Sequence, residues 1–190
     1  RYLMDETSKK TLTLTTPHGQ IPAADLGNGE TSVNMGQPEL DWDKVPLAKN
    51  IPTLELPIEG TPSATGMGNP HCTFFVEDAE KINLEEMGPK FENHPLFPER
   101  TNVQFASITA PDRIRMRVWE RGVGVTLASG SSSCATAVSA NRRGLTGKNV
   151  QIELDGGILD INWREDGVWM TGPTMQVFSG HFSDEFLKSL

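Results

Sequence analysis

Cysteine, tyrosine and histidine are all scarce: two, one and four residues in a chain of 190. Cys72 and Cys134 are too few for a disulfide framework, and neither stands in a Cys-x-x-Cys pair. The four histidines and two cysteines show no ligand spacing, so no metal is expected. Basic residues are also short. Seventeen Lys and Arg against 25 Asp and Glu leave a net charge of −8. Nucleic acid needs a basic face, so it is not an expected partner. The one basic cluster, "NRRGLTGK" from Asn141, follows a helical stretch, where cations suit the C-terminal dipole. No apolar run approaches the roughly 18 residues of a membrane span, and no signal peptide opens the chain. With so little cysteine, a reducing, cytoplasmic setting is the expectation. Phosphate-loop patterns are missing as well: Gly122-x-Gly124 is only a fragment of a dinucleotide fingerprint.

What is present fits a folded protein, with 36% hydrophobic and 22% charged residues. "TLTLTTPHGQIPAADL" alternates and turns at Pro17-His18-Gly19, which predicts a hairpin. "TSVNMG" predicts a short strand, and residues 37–50 a polar, Pro-rich loop that is the best internal boundary. "IPTLELPIEG" and Cys72 to Val76 read as strands. "INLEEMGPKFENH" reads as a helix start cut off by breakers. "TNVQFASI" and "RIRMRVWE" are strands around an Ala-Pro-Asp turn. "SCATAVSANRRGL" is a helix stopped by Gly144. "NVQIELDGGILDINW" is a hairpin across Asp155-Gly156-Gly157, "GVWMTG" and "TMQVF" are strands, and Ser183 caps a terminal helix. About nine short strands with few helices predict an α+β fold: a curved, mostly antiparallel or mixed sheet wrapped on one long helix.

The stretch from Glu120 to Val138, "ERGVGVTLASGSSSCATAV", is where chemistry could reside. A strand ends at Glu120-Arg121, and Gly130-Ser131-Ser132-Ser133 leads into a helix. Unpaired amides at that helix start could cradle an anion, or the serines could simply cap it. Arg121 can clamp a carboxylate through two parallel hydrogen bonds and Glu120 can meet an ammonium, which together suit an amino acid. A solvated ion pair at a strand end is the plain alternative. The second cluster is "GNPHC". Pro70 restricts Asn69 to extended backbone, and His71 can serve as acid or base near neutrality; a turn Asn and a satisfied His are equally open. Cys72 reads as a small core residue.

"GNPHC", "HPLFPERTNVQF", "WERGVG-T-LASG" and "MTGP" occur in one order over essentially the whole chain. In these motifs the chain resembles the diaminopimelate epimerases, cofactor-independent isomerases of lysine and cell-wall biosynthesis. The resemblance implies two pseudo-symmetric halves, each a curved sheet around a central helix. It makes residues 1–34 a remnant of the N-terminal domain, 35–174 the C-terminal domain, and 175–190 a tail returning to the first. It implies an N-terminal domain with a Cys-Gly-Asn-Gly motif that this chain lacks, no cofactor, a diaminopimelate substrate, and leaves a homodimer open. Two cysteines on opposite faces of the α-carbon would exchange its proton. The α-carboxylate would sit on the Gly130 and Ser131 amides. Asn69, Asn102 and Arg121 would hold the distal end, Glu120 the α-ammonium, and His71 and Glu120 would assist proton transfer.

One departure bears on that chemistry. The family pattern Ala-Cys-Gly-Ser/Thr-Gly-Ala-Cys reads here Ala128-Ser129-Gly130-Ser131-Ser132-Ser133-Cys134. Ser129 therefore occupies the position of the catalytic cysteine. Cys134 matches the second, non-catalytic one and, about 7 Å further along a helix, should point into the packing. A family Glu is also replaced, by Val125. A hydroxyl is a far weaker acid and base than a thiol of pKa near 8.5, so two-base epimerisation should be impaired. The resemblance also leaves two other functions open: a proline-derivative racemase or dehydratase on the same fold, and a non-catalytic ligand-binding fragment.

Overall fold

A computed structural model describes residues 1–16 and 19–189. A short helix, α1 (Tyr2–Thr7), precedes strands β1 (Thr11–Thr16), β2 (Gly19–Gly27) and β3 (Glu30–Asn34). After a long loop come β4 (Ser63–Gly66), β5 (Pro70–Phe75), a 3-10 turn (Ala79–Lys81) and α2 (Leu84–Glu92). Then follow β6 (Asn102–Ala110), β7 (Arg113–Glu120), β8 (Gly124–Thr126), α3 (Gly130–Arg142), β9 (Asn149–Leu154), β10 (Gly157–Arg164), β11 (Gly167–Pro173) and α4 (Asp184–Leu187).

The strands form one sheet in the order β1-β2-β3-β11-β10-β9-β7-β6-β5-β4, with β8 beside β7. Pairings are antiparallel except β5 with β6 and β7 with β9. The sheet curls round α3, which touches β4, β5, β6, β7, β9, β10 and β11. This is the expected α+β arrangement of a mixed, curved sheet on a long helix.

Burial explains the composition of α3. Ser132 through Ala140 are all buried, so no polar face survives and small residues dominate. Its hydroxyls find internal partners: Ser139 Oγ lies 2.9 Å from Thr65 Oγ1, and Ser133 Oγ donates to the Ser129 carbonyl. Cys134, Ala135, Val138, Met116, Ile152 and Ile161 form the core on this side of the sheet. On the other side β5 and β6 turn Cys72, Phe74, Val103 and Phe105 toward Phe91 of α2 and Leu56 of the loop. Phe74 and Phe105 stack with ring centres 5.0 Å apart.

Several expectations need correcting. Residues 51–60 form bends rather than a strand. Pro52 and Pro57 remove ladder donors, and Leu56 and Ile58 instead pin the loop into the core. The loop at 37–50 is anchored in the same way by buried Val45 and Leu47. The breakers in "EEMGPKF" do not end α2, which runs through Gly88 and Pro89 to Glu92. Gly88 is required there, because a Cβ would lie 2.3 Å from the Trp119 indole. "TMQVF" is not a strand: Met175, Val177 and Phe178 are exposed, beyond the last pairing of β11 with β3. Short β4 and β8 went unforeseen, which raises the strand count among the described residues to eleven. The hairpins at 11–27 and 149–164, the helix stop at Gly144 and the Ser183 cap all form as expected. Pro17 and His18 of the first predicted turn lie outside the described residues.

Candidate functional site

The parallel register of β5 and β6 pairs His71 with Asn102 and Thr73 with Gln104. Side chains two apart share a face, so one face of this pair carries polar residues toward α3 while the other feeds the aromatic core. His71 is fully buried. Its Nε2–H donates to Asn69 Oδ1 at 2.8 Å, which leaves Nδ1 as the acceptor. Gln104 Nε2 donates to that Nδ1 at 3.1 Å, and Ser132 Oγ stands 3.4 Å from it. Gln104 also donates to Ser132 Oγ (3.0 Å) and accepts from Thr73 Oγ1 (3.1 Å). Burial, reinforced by the charge of Arg121, pushes the imidazole down to about 3, so it is neutral at any ordinary pH.

Ser129 occupies the N-cap of α3 with extended backbone, yet its hydroxyl caps nothing. It donates instead to Ser132 Oγ at 3.0 Å. The first amides of α3 are thus not taken by their own N-cap side chain, and simple capping is not what Ser129 does. Gly130 is tightly covered: a Cβ would come within 2.8 Å of Met170 Sδ on β11. Ser131 is half-buried beside it. Cys134 is fully buried, and burial pushes its thiol up to about 12; Cys72 is pushed higher still.

Glu120 ends β7 and Arg121 opens the turn that follows. Glu120 Oε1 accepts from Thr126 Oγ1 at 2.6 Å. Asn102 ties two ends together: its Nδ2 donates to the Pro70 carbonyl (2.9 Å) and its Oδ1 accepts from the Arg121 amide (3.0 Å). It keeps one N–H and one lone pair for anything else. Arg121 Nη1 donates to the Glu99 carbonyl at 3.1 Å. The following turn is held by Glu92, which accepts from Gly122 N (2.8 Å), Arg100 Nη1 (3.1 Å) and Trp119 Nε1 (2.6 Å).

A cavity of about 790 Å³ opens between β2, β3 and the turn before β5. Asn69 and Arg121 line it, together with Gln20, Asn34, Gln37 and Glu39. A carboxylate, a guanidinium and several amides in one cavity suit a zwitterion. His71 stands directly behind Asn69. Glu120, Ser129, Gly130 and Ser131 are not among the lining residues. Of the predicted residues, Asn69 and Arg121 line the cavity and His71 and Ser129 belong to a buried cluster behind it, while Asn102 joins Pro70 to the Arg121 amide and Glu120, Gly130 and Ser131 stand outside the lining. Gln104, Ser132 and Glu39 were missed. The only sequence signal for Gln104 was a polar residue amid Val103 and Phe105. Among the described residues no group of three or more His, Cys, Asp or Glu could hold a metal ion, and no helix is long and apolar enough to cross a membrane.

The family model described as diaminopimelate epimerase matches residues 63–177. The chain is similar to the diaminopimelate epimerase of Acidiphilium cryptum, 49% identical over 191 residues that cover 97% of this chain and 69% of the relative. It is also similar to that of Rhodospirillum centenum, 48% identical over 96% of this chain and 65% of the relative. It thus spans about two thirds of the length of these relatives. Among solved structures, a protein titled a predicted epimerase from Pseudomonas aeruginosa superposes with a TM-score of 0.62 at 16% identity, over 94% of this chain and 71% of that one. A hydroxyproline epimerase from Agrobacterium vitis gives 0.58 at 15%, over 86% and 56%. At such identity these two structures speak for the fold alone. By its sequence matches the chain belongs to the diaminopimelate epimerase family.

Proposed function

We propose that this chain is the larger part of a cofactor-independent amino-acid isomerase that interconverts LL- and meso-diaminopimelate, in the cytoplasm, for lysine and peptidoglycan-precursor synthesis. The observation that carries this reading is the identity of 49% to a diaminopimelate epimerase over 97% of the chain. The cavity supports it, since it joins Arg121 and Glu39 with amides that can hold an amino-acid head group. In the reaction one group takes the α-proton from one face of the α-carbon as another delivers a proton to the opposite face. Ser129 stands for one of these groups and the relatives' remaining third of length for the other. Gly130 and Ser131 offer amides to the α-carboxylate, Glu120 a carboxylate to the α-ammonium, and Asn69, Asn102 and Arg121 hold the distal end. His71 and Glu120 orient the proton-transfer groups. Residues 1–34 and 175–190 belong on this view with an N-terminal domain and 35–174 form the C-terminal one; a homodimer is compatible with it.

A serine hydroxyl is too weak an acid to match a thiol, so turnover should be low. The same serine favours a second reading on the same fold, a proline-derivative racemase or a dehydratase, the latter with a single base that removes the α-proton. Calorimetric titration of this chain, joined to the N-terminal third of a relative, with diaminopimelate, followed by deuterium incorporation at its α-carbon in D2O, separates them. Binding with slow exchange and inversion supports the epimerase. Exchange without inversion shows a single working base, and no binding leaves a different substrate or a non-catalytic fragment.

A further inference from the structure

The hydroxyl of Ser132 has no part in the roles above, yet it stands at the centre of the buried cluster. We infer that Ser132 is a positioning residue: it ties the acid/base group at position 129 to His71 and favours the ionised form of that group. This rests on position 129 being the proton-transfer position of the epimerase reading.

Ser132 is fully buried in the first turn of α3, and its oxygen accepts from Ser129 Oγ and from Gln104 Nε2, each at 3.0 Å. That leaves it one proton, directed at His71 Nδ1 at 3.4 Å. Gln104 already donates to the same Nδ1 at 3.1 Å. Ser132 can therefore rotate its O–H away from the ring and toward position 129 without leaving Nδ1 unsatisfied. An anion formed at 129 would gain that hydrogen bond in addition to the amides of the helix start. The groups facing the cluster are few. β5 supplies His71, β6 the uncharged Gln104 and β11 the uncharged Met170, while Arg121 at the end of β7 acts on His71 through its charge.

A serine cannot be titrated in water, so the probe is a thiol. Ser129→Cys in the chain as it stands introduces one sulfur at the site. Cys72 and Cys134 are fully buried and high in pKa, and the parent chain measures their background. The rate of alkylation by iodoacetamide is followed against pH for S129C, S129C/S132A and S129C/S132G, with circular dichroism confirming the fold of each. The midpoint reports the thiol's ionisation and the plateau its accessibility, so the two effects separate. The expected result is a midpoint about one pH unit higher in both double variants, the equivalent of one lost hydrogen bond to an anion. An unchanged midpoint would overturn the inference. So would an introduced thiol as silent as the native ones, or the loss of folding in both double variants, which would make Ser132 structural. No turnover is required, so a failure here leaves the epimerase reading standing, and failed turnover leaves the measured tie between Ser132 and position 129 standing.

Discussion

His71 offers the sharpest link between burial and behaviour. In the unfolded chain its imidazole takes up a proton near pH 6.5, whereas in the folded chain burial and Arg121 hold it near 3. Nδ1 faces the Gln104 amide donor, so a proton there would replace an accepted hydrogen bond with a clash of donors. Between these two values the unfolded chain binds a proton that the folded chain does not. Acid therefore favours unfolding. The contribution of His71 is intact above pH 6.5 and declines as pH falls toward 3. At about 1.4 kcal/mol for each pH unit, the full drop is on the order of 5 kcal/mol, and about 3 kcal/mol of it is lost by pH 4.5. That is a large fraction of the roughly 5–15 kcal/mol that stabilises an ordinary domain. Urea unfolding of the wild type and of His71→Gln at pH 7.5, 6.5, 5.5 and 4.5 isolates the effect, because every other ionisable group is common to both. The wild type should lose more than the variant by about 1.4 kcal/mol per pH unit below 6.5. Parallel pH profiles for the two proteins would refute the assignment of a neutral, proton-resistant His71.

Two further outcomes test how α2 holds the Glu120-Arg121 strand end. Glu92→Gln leaves one acceptor oxygen for donors that now share two, so it should cost about 1–3 kcal/mol in urea unfolding; a change below about 0.5 kcal/mol would show the carboxylate to be dispensable. Gly88→Ala should destabilise by about 3 kcal/mol, although alanine is the better helix former by about 1 kcal/mol, because the added methyl meets the Trp119 ring at 2.3 Å. A neutral or stabilising result, read from the thermal midpoint, would mean that α2 and β7 are not packed this closely.

Turn chemistry and alternation were legible in the sequence. Asp155-Gly156 between two alternating runs gave the β9–β10 hairpin, and Gly144 gave the end of α3. Packing decided the rest. "SATG" has no strand signature, and β4 exists because Ser63–Gly66 pairs with β5 and lies against α3. Pro89 ought to stop α2, but Phe91 buried beyond it and Gly88 against Trp119 carry the helix through. At the site, Asn69, His71, Ser129 and Arg121 stood out by motif. The bond from Ser129 to Ser132 and on to His71 did not, since it depends on the β5–β6 register and on the seating of α3 beneath it. No local pattern reports a contact between positions 61 residues apart.

If Ser129 occupies the proton-transfer position of a diaminopimelate epimerase, a thiol there must restore the chemistry. Joining this chain to the N-terminal third of a close relative allows Ser129 and Ser129→Cys to be compared for release of the α-hydrogen of LL-diaminopimelate into water and for inversion. A rise of several orders of magnitude with cysteine is expected, since a thiol near pKa 8.5 replaces an alcohol that does not ionise in water. Equal rates with serine and cysteine would contradict the claim.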